Sequence, residues 1–306
     1  SGAQLPVLWW GAGAAAPAST PNGARTSNPT SPMRSLRNIA ILAAGLMALL
    51  STGATGATLA AFSTQVPHAG VFDPAAGDWL YEKSIDDPVP IASLTKLTAA
   101  LTFLRLHIDV DIPVTITEAD WVGAGRTKLR VGDRVPARTL LKLALVSSDN
   151  CATRALVHPT GLSTEAFAYR MEETARRFGC RKSRFVEPTG LDERNISTAR
   201  EVVTLFKAAL ADPLLREFLG TTEFELSTPR GPRTIVHSAR LLRSRDDIVA
   251  AKTGYIDEAG YCMVQQVADP RGDFITVVLG GRSQGARSAE SARLIEHARA
   301  LRAGRM

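Results

Sequence analysis

The sequence predicts an α+β fold: one antiparallel sheet built from both ends of the chain, with a helical region inserted between them. Three observations carry that expectation. Branched and aromatic runs cluster near 70–83 and again over 224–279. Apolar residues at helical spacing fill the stretch between them. The 306 residues are 45% hydrophobic and 22% charged, with 24 Gly and 17 Pro, which is ordinary globular composition. That balance excludes wholesale disorder, a collagen-like repeat and a polytopic membrane protein. No internal repeat is present.

Residues 1–32 are rich in Ala, Pro, Ser, Thr and Gly and lack periodicity, so they read as a disordered or non-native leader. Met33 opens a different pattern, read as an export signal over 33–60. Arg34 and Arg37 supply positive charge, Ile39 to Leu50 an apolar run, and Ser51 to Ala60 the small residues of a cleavage region. The apolar run is about a dozen residues, short for a membrane span. An uncleaved N-terminal anchor is the alternative, and either reading puts the body outside the cytoplasmic membrane. The net charge is +6, of which Arg25, Arg34 and Arg37 in residues 1–57 contribute three with no acids, leaving +3 for 58–306. That excess, without aromatic-basic interleaving, does not point to nucleic acid.

Gly70 to Lys83 reads as two short strands around a Pro-Ala-Ala-Gly turn. Ile91 to His107 reads as a helix with Leu94, Leu97, Leu101 and Leu104 on one face, and Pro90 suits its start. Further helices are expected over Arg138 to Val146, Thr164 to Phe178, and Ala199 to Ala211 with Thr198 as cap. Strands are expected at Phe224 to Ser227, Ile248 to Tyr255, Tyr261 to Val267 and Phe274 to Leu279. Asp257 to Gly260 turns the chain between the middle pair. A helix over Ala289 to Leu301 closes the sequence.

Three short motifs carry chemistry. In Ser93-Leu-Thr-Lys96 the hydroxyl and the amine stand at i and i+3, on one helix face. A serine is a poor nucleophile until a base takes its proton, and a lysine whose pKa is lowered can be that base. Ser148-Asp149-Asn150 follows a predicted helix and supplies a second hydroxyl and an amide, although these residues also favour turns and helix caps. Lys252-Thr253-Gly254 sits in a predicted strand; a cation and a hydroxyl there can hold a carboxylate, and the glycine admits close approach. Each motif alone is weak. The three in this order are specific.

The ordered set resembles the low-molecular-weight penicillin-binding proteins, the serine D-alanyl-D-alanine carboxypeptidases and endopeptidases. The likeness runs from about Gly70 to the C-terminus. It includes Pro90 to Lys96, Arg184 to Leu191 with Ser197 to Arg200, and Glu258 to Tyr261, and it favours the short DD-endopeptidase-like branch. It implies a β-lactamase/penicillin-binding-protein-like fold over 61–306, with a helical subregion about 100–215. It implies an exported peptidase acting on peptidoglycan stem peptides, with β-lactam antibiotics as covalent inhibitors. By that similarity Ser93 is the nucleophile and Lys96 the base. Ser148 passes a proton to the leaving amine, and Asn150 orients substrate. Lys252 and Thr253 hold a terminal carboxylate beside Gly254, and the backbone N–H groups of Ser93 and Tyr255 form the oxyanion hole. No metal or organic cofactor is implied. Tyr255 is a departure from many relatives. The short stretch after the last helix favours an enzyme without an added C-terminal domain.

Other readings compete. A class A β-lactamase needs a Glu-x-x-Leu-Asn loop, whereas Glu187 to Asp192 is one residue longer and ends in Asp, so Glu187 is better read as anchoring its own loop. Gly281-Arg-Ser283-Gln-Gly285 matches the esterase elbow, but only 23 residues follow Ser283, and Glu290 and His297 share the closing helix. A non-catalytic wall scaffold or penicillin sensor is the remaining alternative. Cys151, Cys180 and Cys262 form no C-x-x-C pair. Cys151 lies next to Asn150, where a small buried hydrophobe is the simpler reading. His68, His107, His158 and His237 form no recognisable triad or metal pair.

Overall fold

The computed structural model describes residues 62–304; the expected leader and export signal lie outside the described residues. The elements follow in chain order. They are β1 (His68–Asp73), β2 (Asp78–Lys83), β3 (Val89–Pro90), a 3-10 turn (Ala92–Leu94), α1 (Thr95–Arg105), β4 (Pro113–Thr115), α2 (Glu118–Trp121), β5 (Arg134–Pro136), α3 (Ala137–Val146) and α4 (Asn150–Ala155). A 3-10 turn (His158–Thr160), α5 (Thr164–Arg177), β6 (Ile196–Ser197), α6 (Ala199–Ala211), α7 (Pro213–Gly220), β7 (Glu223–Leu226) and β8 (Arg233–Val236) continue it. The last are α8 (Arg240–Ser244), β9 (Ile248–Ile256), β10 (Gly260–Val267), β11 (Phe274–Gly281) and α9 (Gln284–Ala303).

The central sheet has the order β2-β1-β11-β10-β9 and is antiparallel throughout, so both ends of the chain build it as expected. Its inner strands are buried on both faces, with side chains alternating sides. Val264, Ile275, Val277 and Leu279 face the core shared with α1, α3, α5 and α6. Met263, Phe274 and Val278 face Leu294, Ile295 and Ala298 of α9. The larger core lies between the sheet and the helical region. Strand β9 is an edge: β10 pairs with one side of it, and no other strand of this sheet lies on the other.

Most expected elements are present, with instructive shifts. The helix anticipated from Ile91 begins at Thr95, and Pro90 is not at its start but in β3, opposite Ile196 of β6. The intervening turn is held from outside: Ile91 N–H donates to Asn195 O, and Gly190 packs against the Ala92 carbonyl. Apolar periodicity cannot separate so short a 3-10 turn from the α-helix that follows it. The closing helix starts at Gln284, earlier than Ala289, because the Ser283 hydroxyl accepts from Ala286 N–H as an N-cap. Ser283 is thereby a capping residue. Strands β4, β5 and β8 and helices α2, α4, α7 and α8 were not anticipated; each is eight residues or fewer, too short for a period to show. Among the described residues no helix is long and apolar enough to cross a membrane.

Candidate active site

Ser93 occupies the middle of the 3-10 turn, and Lys96 the first turn of α1. Ala92 takes a positive φ of 48°, a conformation disfavoured for a side-chain-bearing residue. Glycine is required behind it: at Gly190, φ is +80° and a Cβ would stand 2.0 Å from the Ala92 carbonyl oxygen. The Lys96 amine is fully buried and has three oxygen neighbours: Ser93 Oγ at 2.9 Å, Asn150 Oδ1 at 2.7 Å and the Thr189 carbonyl at 2.5 Å. Burial pushes its pKa down to about 7 against the opposing pull of Glu187 and Asp149. A neutral amine has two N–H donors and one lone pair. Asn150 Oδ1 and the Thr189 carbonyl can only accept, so they take the two hydrogens, and the lone pair is left for the Ser93 hydroxyl. That is the geometry a general base requires.

The second motif is built by a helix start. Asp149 is the N-cap of α4: Oδ1 accepts from Ala152 N–H at 3.0 Å, and Oδ2 accepts from the Thr127 hydroxyl at 2.7 Å. The expected cap is thus present at Asp149, within the same tripeptide that carries the candidate site residues. The cap fixes Asn150 at the first helical position, where its Nδ2 donates to the Ala124 carbonyl at 3.1 Å. Its Oδ1 is thereby turned to Lys96. Ser148 adopts a positive φ of 60°, a strained conformation that aims its hydroxyl at the third motif.

That motif lies on β9. The Lys252 amine donates to Ser148 Oγ and to the Thr253 carbonyl, both at 2.8 Å. Burial, and then the charges of Lys96 and Arg287, hold its pKa well below the ordinary lysine value. Two lysine–serine pairs thus face one site. At Gly254 a Cβ would lie 2.9 Å from both the Ile91 carbonyl oxygen and the Ser93 nitrogen, so only glycine lets the strand lie against the nucleophile turn. Tyr255 is exposed and stacks on Tyr261 at a centroid distance of 4.1 Å. Its hydroxyl donates to Asp257, and that contact first, then burial, pushes its pKa up to about 12. The structure brings together Ser93, Lys96, Ser148, Asn150, Lys252, Thr253 and Gly254, while the Tyr255 side chain turns outward.

Several contributors carry no sequence signal. Ser238 Oγ accepts from the Thr253 hydroxyl at 2.7 Å. Arg287 on α9 is almost fully buried, with no carboxylate within ion-pair distance among the described residues and its Nε without a partner. Its charge is felt at Lys252. His237 is buried, accepts from Ala239 N–H at 2.9 Å, and is held near pKa 3 by burial and by Lys252, so it is a neutral part of the frame. Main-chain acceptors such as the Thr189 and Ala124 carbonyls are invisible in a side-chain motif.

Glu187 accepts from Thr189 N–H, the Thr189 hydroxyl, Gly190 N–H, Leu191 N–H and Asn195 Nδ2, all within 3.0 Å. It anchors its own loop, and that loop presents the Thr189 carbonyl to Lys96. The three cysteines are free and buried; burial pushes the Cys151 thiol up to about 12, so it is an inert apolar group beside the site.

Comparison with known proteins shows which family the chain is similar to. A family model described as D-alanyl-D-alanine carboxypeptidase matches residues 55–283. The chain is 33% identical to the D-alanyl-D-alanine endopeptidase of Pseudomonas aeruginosa, over 73% of this chain and 74% of that one. It is 31% identical to the Escherichia coli D-alanyl-D-alanine endopeptidase, over 70% of this chain and 71% of that one. Among solved structures, a variant of the Streptomyces K15 DD-transpeptidase superposes with a TM-score of 0.73 at 26% identity, covering 78% of this chain and 99% of that one. Ordered motifs, a shared sheet and this coverage converge, and the chain belongs to the D-alanyl-D-alanine carboxypeptidase family of serine peptidases.

Proposed function

We propose that this protein cuts the bond after the penultimate D-alanine of peptidoglycan stem peptides, with cross-links as its preferred targets, and that β-lactams acylate the same serine. The observation that carries this reading is the buried Lys96 amine, 2.9 Å from Ser93 Oγ with its lone pair left over for that hydroxyl. Lys96 takes the proton as Ser93 Oγ bonds to the D-alanyl carbonyl carbon. The backbone N–H groups of Ser93 and Tyr255 receive the oxyanion. Ser148, bonded to Lys252, delivers a proton to the leaving amine as the C–N bond breaks and is re-protonated by Lys96, which is neutral again for the next step. Lys252, Thr253 and Arg287 supply the positive and hydroxyl groups for the carboxylate of the departing residue. Water, deprotonated by Lys96, then attacks the ester carbonyl, and Lys96 returns that proton to Ser93 Oγ as the ester bond breaks and a stem ending in D-alanine is freed. Asn150 both orients the substrate amide and fixes Lys96. The preference for cross-links is supported by the relatives named endopeptidases. Such a substrate places the mature protein outside the cytoplasmic membrane, in accord with the export signal expected over 33–60.

Time-resolved labelling with a fluorescent penicillin, followed by a chase, tests the proposal. Wild type should label and hold the adduct for minutes, with mass spectrometry placing it on Ser93, and Ser93→Ala should not label. An adduct elsewhere overturns it. Rapid drug destruction without accumulated label would instead mean a β-lactamase.

A further inference from the structure

The charge of the folded body is unevenly placed. Residues 122–134 and 227–234 hold Arg126, Lys128, Arg130, Arg134, Arg230 and Arg233 against a single carboxylate, Asp133. These two segments therefore carry a net +5, whereas residues 58–306 as a whole carry +3. The remainder of that body is net acidic.

The two segments form one surface. Arg230, at the tip of the β7–β8 hairpin, donates to Asp133 through Nη1 at 3.1 Å and Nη2 at 2.8 Å, and Arg130 N–H donates to the same carboxylate at 2.8 Å. Arg134 lines a cleft of about 350 Å³ together with Leu226 and Ser227, and Leu226 pairs with Arg233 across the hairpin. The surface borders the catalytic centre. Arg126 and Lys128 flank Thr127, whose hydroxyl donates to Asp149, and the Ala124 carbonyl accepts from Asn150.

The carboxylates around it have partners within the fold, two of them cationic. Asp111 pairs with Arg138, Glu217 with Lys142, and Glu225 accepts from the Thr234 hydroxyl. Arg126, Lys128, Arg134 and Arg233 are exposed, and among the described residues they make no side-chain hydrogen bond and no ion pair. The fold makes no use of these four charges. Exposed cations gathered at one rim raise the local concentration of a polyanion and steer it inward.

We propose that this rim holds the carboxylate-bearing stem peptides of neighbouring peptidoglycan strands while Ser93 acts on one of them. The inference rests on the peptidase reading above. A polymer with a free carboxylate on many stems meets several of these cations at once, so its retention gains from multivalency, whereas a short soluble peptide gains little. Charges at the surface are screened within about 8 Å at physiological ionic strength, so retention by this rim is salt-sensitive.

The test uses protein whose Ser93 is already acylated by penicillin, so that the catalytic groove does not contribute. Its retention on purified sacculi is measured against salt, beside the quadruple variant Arg126→Gln, Lys128→Gln, Arg134→Gln, Arg233→Gln. Retention at low salt should fall at least tenfold in the variant, with a shallower salt dependence. Penicillin labelling and turnover of a soluble D-Ala-D-Ala tripeptide should stay within twofold. Amidation of the sacculus carboxylates should abolish the difference between the two proteins. Equal retention of the two proteins overturns the proposal. So does a difference that survives amidation but disappears after phosphate polymers are stripped, which would assign the rim to those polymers. Failure of penicillin labelling in wild type would count against the peptidase reading instead. Should the quadruple variant melt early, the pairs Arg126→Gln with Lys128→Gln and Arg134→Gln with Arg233→Gln should each lower retention about threefold.

Discussion

An amine that takes a proton from serine must itself be neutral, and at Lys96 burial supplies that condition by lowering its pKa to about 7. Acylation by penicillin should therefore accelerate as pH rises through about 7 and then level off; a flat profile between pH 5 and 9 would remove Lys96 from the role of base. The same shift acts on stability. Between about pH 7 and the ordinary lysine value of 10.5, the unfolded chain binds a proton that the folded chain does not, so stability rises with pH in that window. Lys96→Arg keeps a charge that cannot be lost, and should slow acylation about a thousandfold. Glu187 offers a sharper discrimination. Its carboxylate takes five hydrogen bonds from its own loop, and Glu187→Gln turns two acceptor sites into donors facing donors. The variant should lose about 1–3 kcal/mol in urea unfolding, and acylation should slow because the Thr189 carbonyl moves. A variant that acylates normally but stalls only in deacylation would show that Glu187 activates water.

At the scale of elements, the site is a meeting of three segments: the turn before α1, the start of α4 and the edge of β9 that lies against that turn. Two of these are set by backbone conformations that a side-chain pattern does not display. Gly190→Ala would drive a Cβ into the Ala92 carbonyl at an unfavourable φ, and should cost at least about 2 kcal/mol and slow acylation more than tenfold. Asp149→Ala removes the cap of α4 and the anchor of Thr127. It should cost about 2 kcal/mol and lower acylation with it, because Asn150 loses its fixed position. Thermal and urea unfolding beside penicillin labelling checks both. This also explains how much the sequence disclosed. The long apolar periods of α3, α5 and α6 and the buried runs of β9 to β11 marked themselves, and their order foretold the sheet. The ordered motifs named seven of the residues that converge. The 3-10 turn at Ser93 was not legible because it is held by Asn195 and Gly190, far away in sequence, and β8, like α4, is too short for a period to show. Ser238 and Arg287 were missed because a single serine after β8 and one arginine among many on α9 acquire meaning only when the first bonds Thr253 and the charge of the second reaches Lys252.

Across the whole molecule, the edge strand that carries Lys252 must be held in place by its far end, and α9 does this with charge. Asp247, just before β9, accepts from Arg245 at 2.7 Å and from Arg299 of α9 at 2.7 Å, and Arg299 also reaches Asp269 after β10 at 3.1 Å. The bond from Arg245 first, then that from Arg299, outweighs burial and lowers the Asp247 pKa from 3.8 to about 2. A folded pKa below the unfolded one means stability that is present above about 3.8 and is lost as pH falls through about 2. Because Asp247 is partly solvated, the contribution is about 1–2 kcal/mol after screening. Asp247→Asn should therefore be less stable than wild type by that amount at pH 7 in urea unfolding. The gap should narrow between pH 4 and pH 2 and close below it. A gap that persists unchanged into acid would mean that shape, not charge, ties β9 to α9. Lys252 lies five positions after Asp247. Loss of the tie should thus also appear in the catalytic centre, as slower acylation at pH 7 that recovers in part when Arg245 and Arg299 are neutralised together with Asp247, since two cations no longer meet at the foot of the strand without their shared carboxylate.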